Sequence, residues 1–107
     1  MNMLRSQAFP FQRSEQRIPM EIGVSLEGNR QVPGAESIFT ENVSEHGARV
    51  VSVRRWEPND GLMLVARSGE FRSTARVAYC QPMQGDGFAI GVEFIEPCGR
   101  WVVQNAR

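Results

Sequence analysis

The strongest constraint on the fold of this chain is a strict alternation of apolar and polar residues that follows Arg17. The apolar members stand two apart, at Ile18, Met20, Ile22, Val24 and Leu26. Because successive side chains of a β-strand point to opposite faces, this spacing places all of them on one face. The pattern predicts a strand over residues 17–26 with one buried side.

Further short strands are predicted downstream, separated by segments rich in Gly, Asn and Pro. They cover residues 36–41, 48–54, 62–67, 71–80 and 88–94. Short strands at this spacing favour an antiparallel barrel or sandwich over βαβ units. We expect an all-β fold: a six-stranded antiparallel β-barrel at residues 17–96, with a flexible N-terminal arm at 1–16 and a short C-terminal helix or tail at 97–107.

Length and charge narrow the range of functions. The 107 residues suffice for one hydrophobic core,. No apolar run approaches the roughly 18 residues of a membrane helix, and residues 1–11 lack the continuous apolar segment of a secretory signal,. We therefore expect a cytoplasmic protein without a membrane partner. The formal net charge is zero, so no general affinity for nucleic acid is expected, and any anion site must be local.

Two arginines stand four residues apart where the predicted arm meets the first strand. Arg13 and Arg17 lie between Pro10 and Pro19, which restrict the backbone on either side,. Guanidinium groups can donate paired hydrogen bonds to guanine or to phosphate oxygens, and both could converge on one ligand. The alternative is that both arginines are solvated and pair with Glu15 or Glu21.

A second polar segment, from Asn42 to Gly47, lies between two predicted strands. Its amide, hydroxyl and glycine suit a tight turn, and the alternative is that it forms only an Asx-type turn. In a ligand site, the Asn42 carbonyl could accept from the edge of guanine. Ser44 and the backbone near Gly47 could then reach phosphate or base.

Together and in this order, the two segments resemble the PilZ family, whose signature is RxxxR followed some tens of residues later by (D/N)xSxxG. The matches are residues 13–17 and 42–47, supported by Gly47-Ala48-Arg49-Val50 and by Ile90-Gly91-Val92-Glu93-Phe94. The resemblance implies a barrel that binds the bacterial second messenger cyclic di-GMP and performs no chemistry on it. Arg13 and Arg17 would clamp the ligand, and Asn42, Ser44 and Gly47 would close the pocket.

The resemblance also implies that the arm moves when ligand binds and presents itself to a downstream protein partner. Many family members have further arginines before RxxxR, where this chain has Gln12, so ligand affinity and stoichiometry stay open. The alternative function is a PilZ-like interaction adaptor that no longer binds nucleotide.

Catalysis and metal binding find little support in the sequence. His46 is the one histidine, and neighbouring residues of one loop, such as Ser44 and Glu45, seldom reach triad geometry. Cys80 and Cys98 lack the spacing of a metal or redox site. We expect no enzyme, no metal and no cofactor. An oligonucleotide-binding barrel would need a basic groove with exposed aromatic rings, which the neutral charge disfavours.

Overall fold

Most segments in which apolar and polar residues alternate form β-strands in the structure. The computed structural model describes residues 15–103. Within that range it contains seven β-strands and no helix. The strands are β1 (Ile18–Pro19), β2 (Gly23–Glu27), β3 (Ala35–Ser44), β4 (Gly47–Ser52), β5 (Gly61–Ala66), β6 (Phe71–Pro82) and β7 (Phe88–Gly99).

Antiparallel pairing closes the strands into a barrel. The sheet order is β1-β3-β2-β5-β6-β7-β4, and a further pairing of β3 with β4 joins the sheet to itself. The strands β2 to β7 form the closed barrel, while β1 pairs with the end of β3 that β2 leaves uncovered. Closure is one way in which an all-β domain avoids exposed sheet edges. The predicted six-stranded antiparallel barrel is confirmed, with one additional short strand.

The barrel interior is filled by aliphatic side chains from every barrel strand. The most deeply buried are Val24, Leu26, Val43, Val50, Leu64, Val77 and Ile90. Two tryptophans extend this core, since Trp56 and Trp101 are 2% and 6% exposed. The Trp56 indole N–H donates to Ser52 Oγ at 3.2 Å, so its polar atom is satisfied within the core.

The strand predicted over residues 17–26 is interrupted, and the prediction of one continuous strand was wrong. Between β1 and β2, the hydroxyl of Thr40 donates to the carbonyl of Met20 at 2.7 Å and accepts from the Ile22 N–H at 2.9 Å. Thr40 is 1% exposed and lies where the register of β3 against β4 shifts. A buried side chain thus takes over hydrogen bonds that a regular ladder would make.

The turn predicted at residues 42–47 is shorter than expected, because Asn42 and Ser44 belong to β3 and Gly47 begins β4. Only Glu45 and His46 form the turn into β4. Both edges of β3 are paired here: Val43 lies opposite Ile18 on one side and Ala48 on the other. Pairing on two edges overrides the low strand propensity of Asn and Ser.

The last strand continues to Gly99, beyond Pro97, where the sequence predicts the C-terminal helix or tail to begin. Proline is tolerated because β4 pairs with β7 only up to Glu93, which leaves Pro97 on a strand with one partner, β6,. Residues 100–103 form neither helix nor strand. In the portion that the structure describes, no helix could span a membrane. The predicted arm, apart from Glu15 and Gln16, lies outside the described residues.

Candidate functional site

The first and third strands bring the two polar motifs of the sequence into contact. Ile18 pairs with Val43 in antiparallel register, which places the preceding residue, Arg17, at the level of Ser44. The Arg17 guanidinium donates a hydrogen bond to Asn42 Oδ1 at 3.1 Å. Residues separated by 25 positions therefore form one surface, as the sequence predicts from their order.

A cavity of about 170 Å³ opens beside this contact. Of the five residues that the sequence predicts for the site, Arg17, Ser44 and Gly47 line it. Asn42 contacts Arg17 without itself lining the cavity. Arg13 lies outside the described residues, so its place in the site stays a prediction.

The residue before Gln16, the turn into β4 and the strands β6 and β7 supply cavity residues that the sequence prediction omits. They include Glu15, His46, Arg76, Tyr79 and Glu93. The β6 and β7 residues face the site because Arg76 pairs with Glu93 and Tyr79 pairs with Gly91. Register between distant strands is not encoded in local spacing. The sequence pointed to this part of the cavity wall only through Ile90-Gly91-Val92-Glu93, which is part of the family resemblance.

Each cation beyond Arg17 in the cavity wall has an acidic partner. Arg76 is 2.5 Å from Glu93 Oε1, and its other terminal nitrogen donates to Asn59 Oδ1 at 2.8 Å. The ring nitrogen Nδ1 of His46 contacts the Glu15 carboxylate. The wall therefore combines two arginines with two glutamates. The glutamate charges offset those of the arginines and leave at most the charge of His46, so the cavity offers directed hydrogen-bond donors rather than a strong positive field.

The contact between Glu15 and His46 changes the proton affinity of both groups. The hydrogen bond that His46 donates to Glu15 raises the pKa of His46. The charges of Glu15, Glu45 and Glu93 contribute less, and burial opposes them. Burial acts to raise the pKa of Glu15, but interactions with Ser44 and His46 together lower it. Both shifts favour the charged forms of the pair.

Tyr79 forms an aromatic wall of the cavity and is held in place by two features. The Arg49 guanidinium donates to its hydroxyl at 3.1 Å and is itself bound to Glu41 at 2.9 Å. The hydrogen bond to Glu41, followed by the one to Tyr79, raises the pKa of Arg49. On the other side of the ring, Gly91 leaves the space that a Cβ atom would take from it. The ring is therefore fixed against the cavity.

Gly47 is required by close packing of strands rather than by an unusual backbone angle. It is not among the glycines with positive φ. A Cβ atom at this position would clash with the backbone carbonyl oxygen of Val92 on β7. Glycine thus allows β4 to approach β7 beside the cavity.

We expect Gly47→Ala to lower the free energy of unfolding by about 1–3 kcal/mol, because the clashing atom is backbone and cannot rotate away. Urea denaturation measures this loss. Gly61→Ala is the matched control, since Gly61 begins β5 with open space around its Cβ position, and it should leave stability nearly unchanged. Equal stability of the two variants would contradict the packing explanation.

The closed barrel, with Arg17 adjacent to the Asn-Ser-Gly segment on one face, defines a specific class of small β domain. The family model of the PilZ domain matches residues 11–99. The chain therefore belongs to the PilZ domain family, and the resemblance noted in the sequence is confirmed. Domains of this family are generally receptors for cyclic di-GMP rather than enzymes.

Among solved structures, the fold is similar to the inhibitor of motility of Bacillus subtilis, MotI/DgrA. The two share 17% sequence identity with a TM-score of 0.66, and the match covers 80% of this chain. It covers 44% of the Bacillus protein, so this chain spans less than half of that structure. No curated protein sequence matches the chain.

Proposed function

We propose that this chain is a cytoplasmic receptor for cyclic di-GMP. The nucleotide binds at the cavity through Arg13, Arg17, Asn42, Ser44 and Gly47, and binding orders the N-terminal arm for a protein partner. The chain acts by binding and performs no reaction. The proposal rests on membership of the PilZ family and on one observation, the convergence of Arg17, Ser44 and Gly47 on a single cavity.

The chemistry of the cavity suits a guanine dinucleotide. Arginine can bond phosphate oxygens or the O6 and N7 atoms of guanine, and its plane can stack on a purine. Arg17 and Arg76 both line the cavity, and Tyr79 adds an aromatic ring. These groups offer donors for phosphate and a surface for a base at one place on the barrel.

The size of the cavity supports a role for the arm. Ligand pockets usually enclose about 300–1,000 Å³, whereas this cavity measures about 170 Å³. It can enclose only part of a dinucleotide, so the remainder must contact other groups. Arg13 precedes the described residues by two positions and is the nearest candidate. Ligand binding would then draw the arm onto the barrel.

Calorimetric titration with cyclic di-GMP tests the proposal directly. We expect saturable heat, whose stoichiometry also distinguishes one bound nucleotide from a stacked pair. Guanosine monophosphate serves as the control ligand and should bind more weakly, because it lacks the second nucleotide. The absence of heat at high micromolar concentration would exclude the receptor function.

A nucleotide-independent adaptor is the alternative, and one observation favours it. The cavity cations already have partners in this structure: Arg17 contacts Asn42, and Arg76 contacts Glu93. Such internal pairing would also stabilise a barrel that serves only as a protein-binding surface. The same titration separates the two functions, since an adaptor would give no heat with the nucleotide.

A further inference from the structure

The Glu15 carboxylate lies inside the cavity that we assign to the ligand. It contacts His46 Nδ1, and it lines the cavity together with Arg17 and Ser44. Its side chain is 24% exposed. In sequence, Glu15 is the central residue of the RxxxR segment, between Arg13 and Arg17. An acidic group thus sits where the motif is expected to present cations.

Glu15 and an anionic ligand would require the same donor. The Nδ1 atom of His46 contacts the Glu15 carboxylate, and both residues line the cavity. A ring nitrogen has at most one hydrogen to donate. The Ser44 hydroxyl donates to the Gly47 carbonyl oxygen, at 3.5 Å, rather than to Glu15. An anionic group of the ligand that binds His46 Nδ1 must therefore displace the Glu15 carboxylate.

We propose that the Glu15 carboxylate occupies the position that an anionic group of the ligand takes, so that the chain inhibits its own anion site. The inference rests on the proposed function and deepens it. Cyclic di-GMP would bind by exchanging its phosphate for Glu15 at His46. Since Glu15 belongs to the predicted arm, this exchange frees the Glu15 side chain from the barrel and leaves the ligand in its place.

The strength of this internal competitor depends on pH through His46. The ring faces Glu15, Glu45 in its own turn and Glu93 on β7, while Arg17 and Arg76 line the same cavity. The pKa of His46 is raised and that of Glu15 is lowered. The charged pair therefore persists above the lowered pKa of Glu15 and weakens as pH rises through the raised pKa of His46. Self-inhibition should be stronger in mildly acidic than in alkaline solution.

Calorimetry with cyclic di-GMP tests the competition by comparing the wild-type chain with Glu15→Gln. We expect Glu15→Gln to bind about three- to tenfold more tightly at about pH 6, because more of the protein is free to bind. The ratio of the two affinities should shrink at about pH 8. Comparing the ratio at each pH removes the effects of pH that both chains share.

Glu27→Gln is the matched control, since it removes the same charge at a distant site. Glu27 is exposed and pairs with Ala35, at the opposite end of β3 from Ser44. Its affinity should equal that of the wild type. If the wild type binds and Glu15→Gln binds equally or less tightly, the competition is overturned while the receptor function stands. If neither chain binds the nucleotide, both the receptor function and the exchange are overturned.

Nuclear magnetic resonance tests the Glu15 contact independently of any nucleotide. The chain has one histidine, so the ring signal of His46 is unambiguous. We expect its pKa to fall towards the ordinary histidine value in Glu15→Gln and in Glu15→Ala, and to stay unchanged in Glu27→Gln. An unchanged pKa in both Glu15 variants would overturn the contact itself, and with it the competition.

Discussion

Replacement of Trp101 by alanine is expected to lower the free energy of unfolding by about 3–5 kcal/mol, the usual cost of deleting a large buried aromatic side chain. The indole packs against Phe71 and Phe94, with ring centroids 4.8 and 5.0 Å away. Its N–H donates to the Ser44 carbonyl at 2.9 Å. Alanine would remove all three interactions at once. Urea denaturation, followed by circular dichroism, measures the loss.

Trp101→Phe separates the ring packing from the hydrogen bond. Phenylalanine keeps an aromatic ring against Phe71 and Phe94 but cannot donate to Ser44, so we expect a smaller loss of about 1–3 kcal/mol. Val102→Ala is the control, because Val102 is 47% exposed. A loss below about 1 kcal/mol for Trp101→Ala would show that the segment after β7 is not part of the core.

Replacement of Arg17 by alanine is expected to weaken binding of cyclic di-GMP about tenfold or more. Each hydrogen bond from a charged group contributes about 1.5–3 kcal/mol, and about 1.4 kcal/mol corresponds to a factor of ten in affinity. Arg17 is exposed and its one described partner is Asn42, so the variant should keep its stability. Calorimetry measures the affinity, and urea denaturation checks the fold.

Two further variants sharpen this test. Arg17→Lys keeps the charge but loses the planar fork, so it should recover only part of the affinity. Arg30→Ala removes an exposed arginine from the loop between β2 and β3, at the far end of β3 from the cavity, and should bind like the wild type. Undiminished binding by Arg17→Ala would mean that the clamp is misassigned.

The barrel could be predicted from sequence because the alternation of period two is strong in most strands. The boundaries of the strands could not be predicted, because they depend on contacts between distant parts of the chain. Thr40 interrupts the first predicted strand through hydrogen bonds across some twenty positions, and Pro97 is accommodated because β7 has lost one neighbour there. Asn42 and Ser44 become strand because two partners pair with β3 at that point.

The sequence predicted the motif residues of the candidate site but not the other residues that line its cavity. Arg17 and Asn42 meet as their order in the sequence suggests. Arg76, Tyr79 and Glu93 enter through the register of β6 and β7, which no local pattern specifies. Glu15 appeared in the sequence only as a partner for arginine, and its contact with His46 depends on how the chain enters β1.

Ser44 lies between the cavity and the three packed aromatic rings of Phe71, Phe94 and Trp101. Ser44 lines the cavity together with Glu15, while its carbonyl oxygen accepts from the Trp101 indole N–H. Indole fluorescence is sensitive to the polarity and hydrogen bonding around the ring, and the other tryptophan, Trp56, is bonded to a different residue, Ser52. The barrel thus carries a natural optical probe bonded to a residue of the cavity wall, and the exchange of Glu15 for a ligand can be followed without attaching a label.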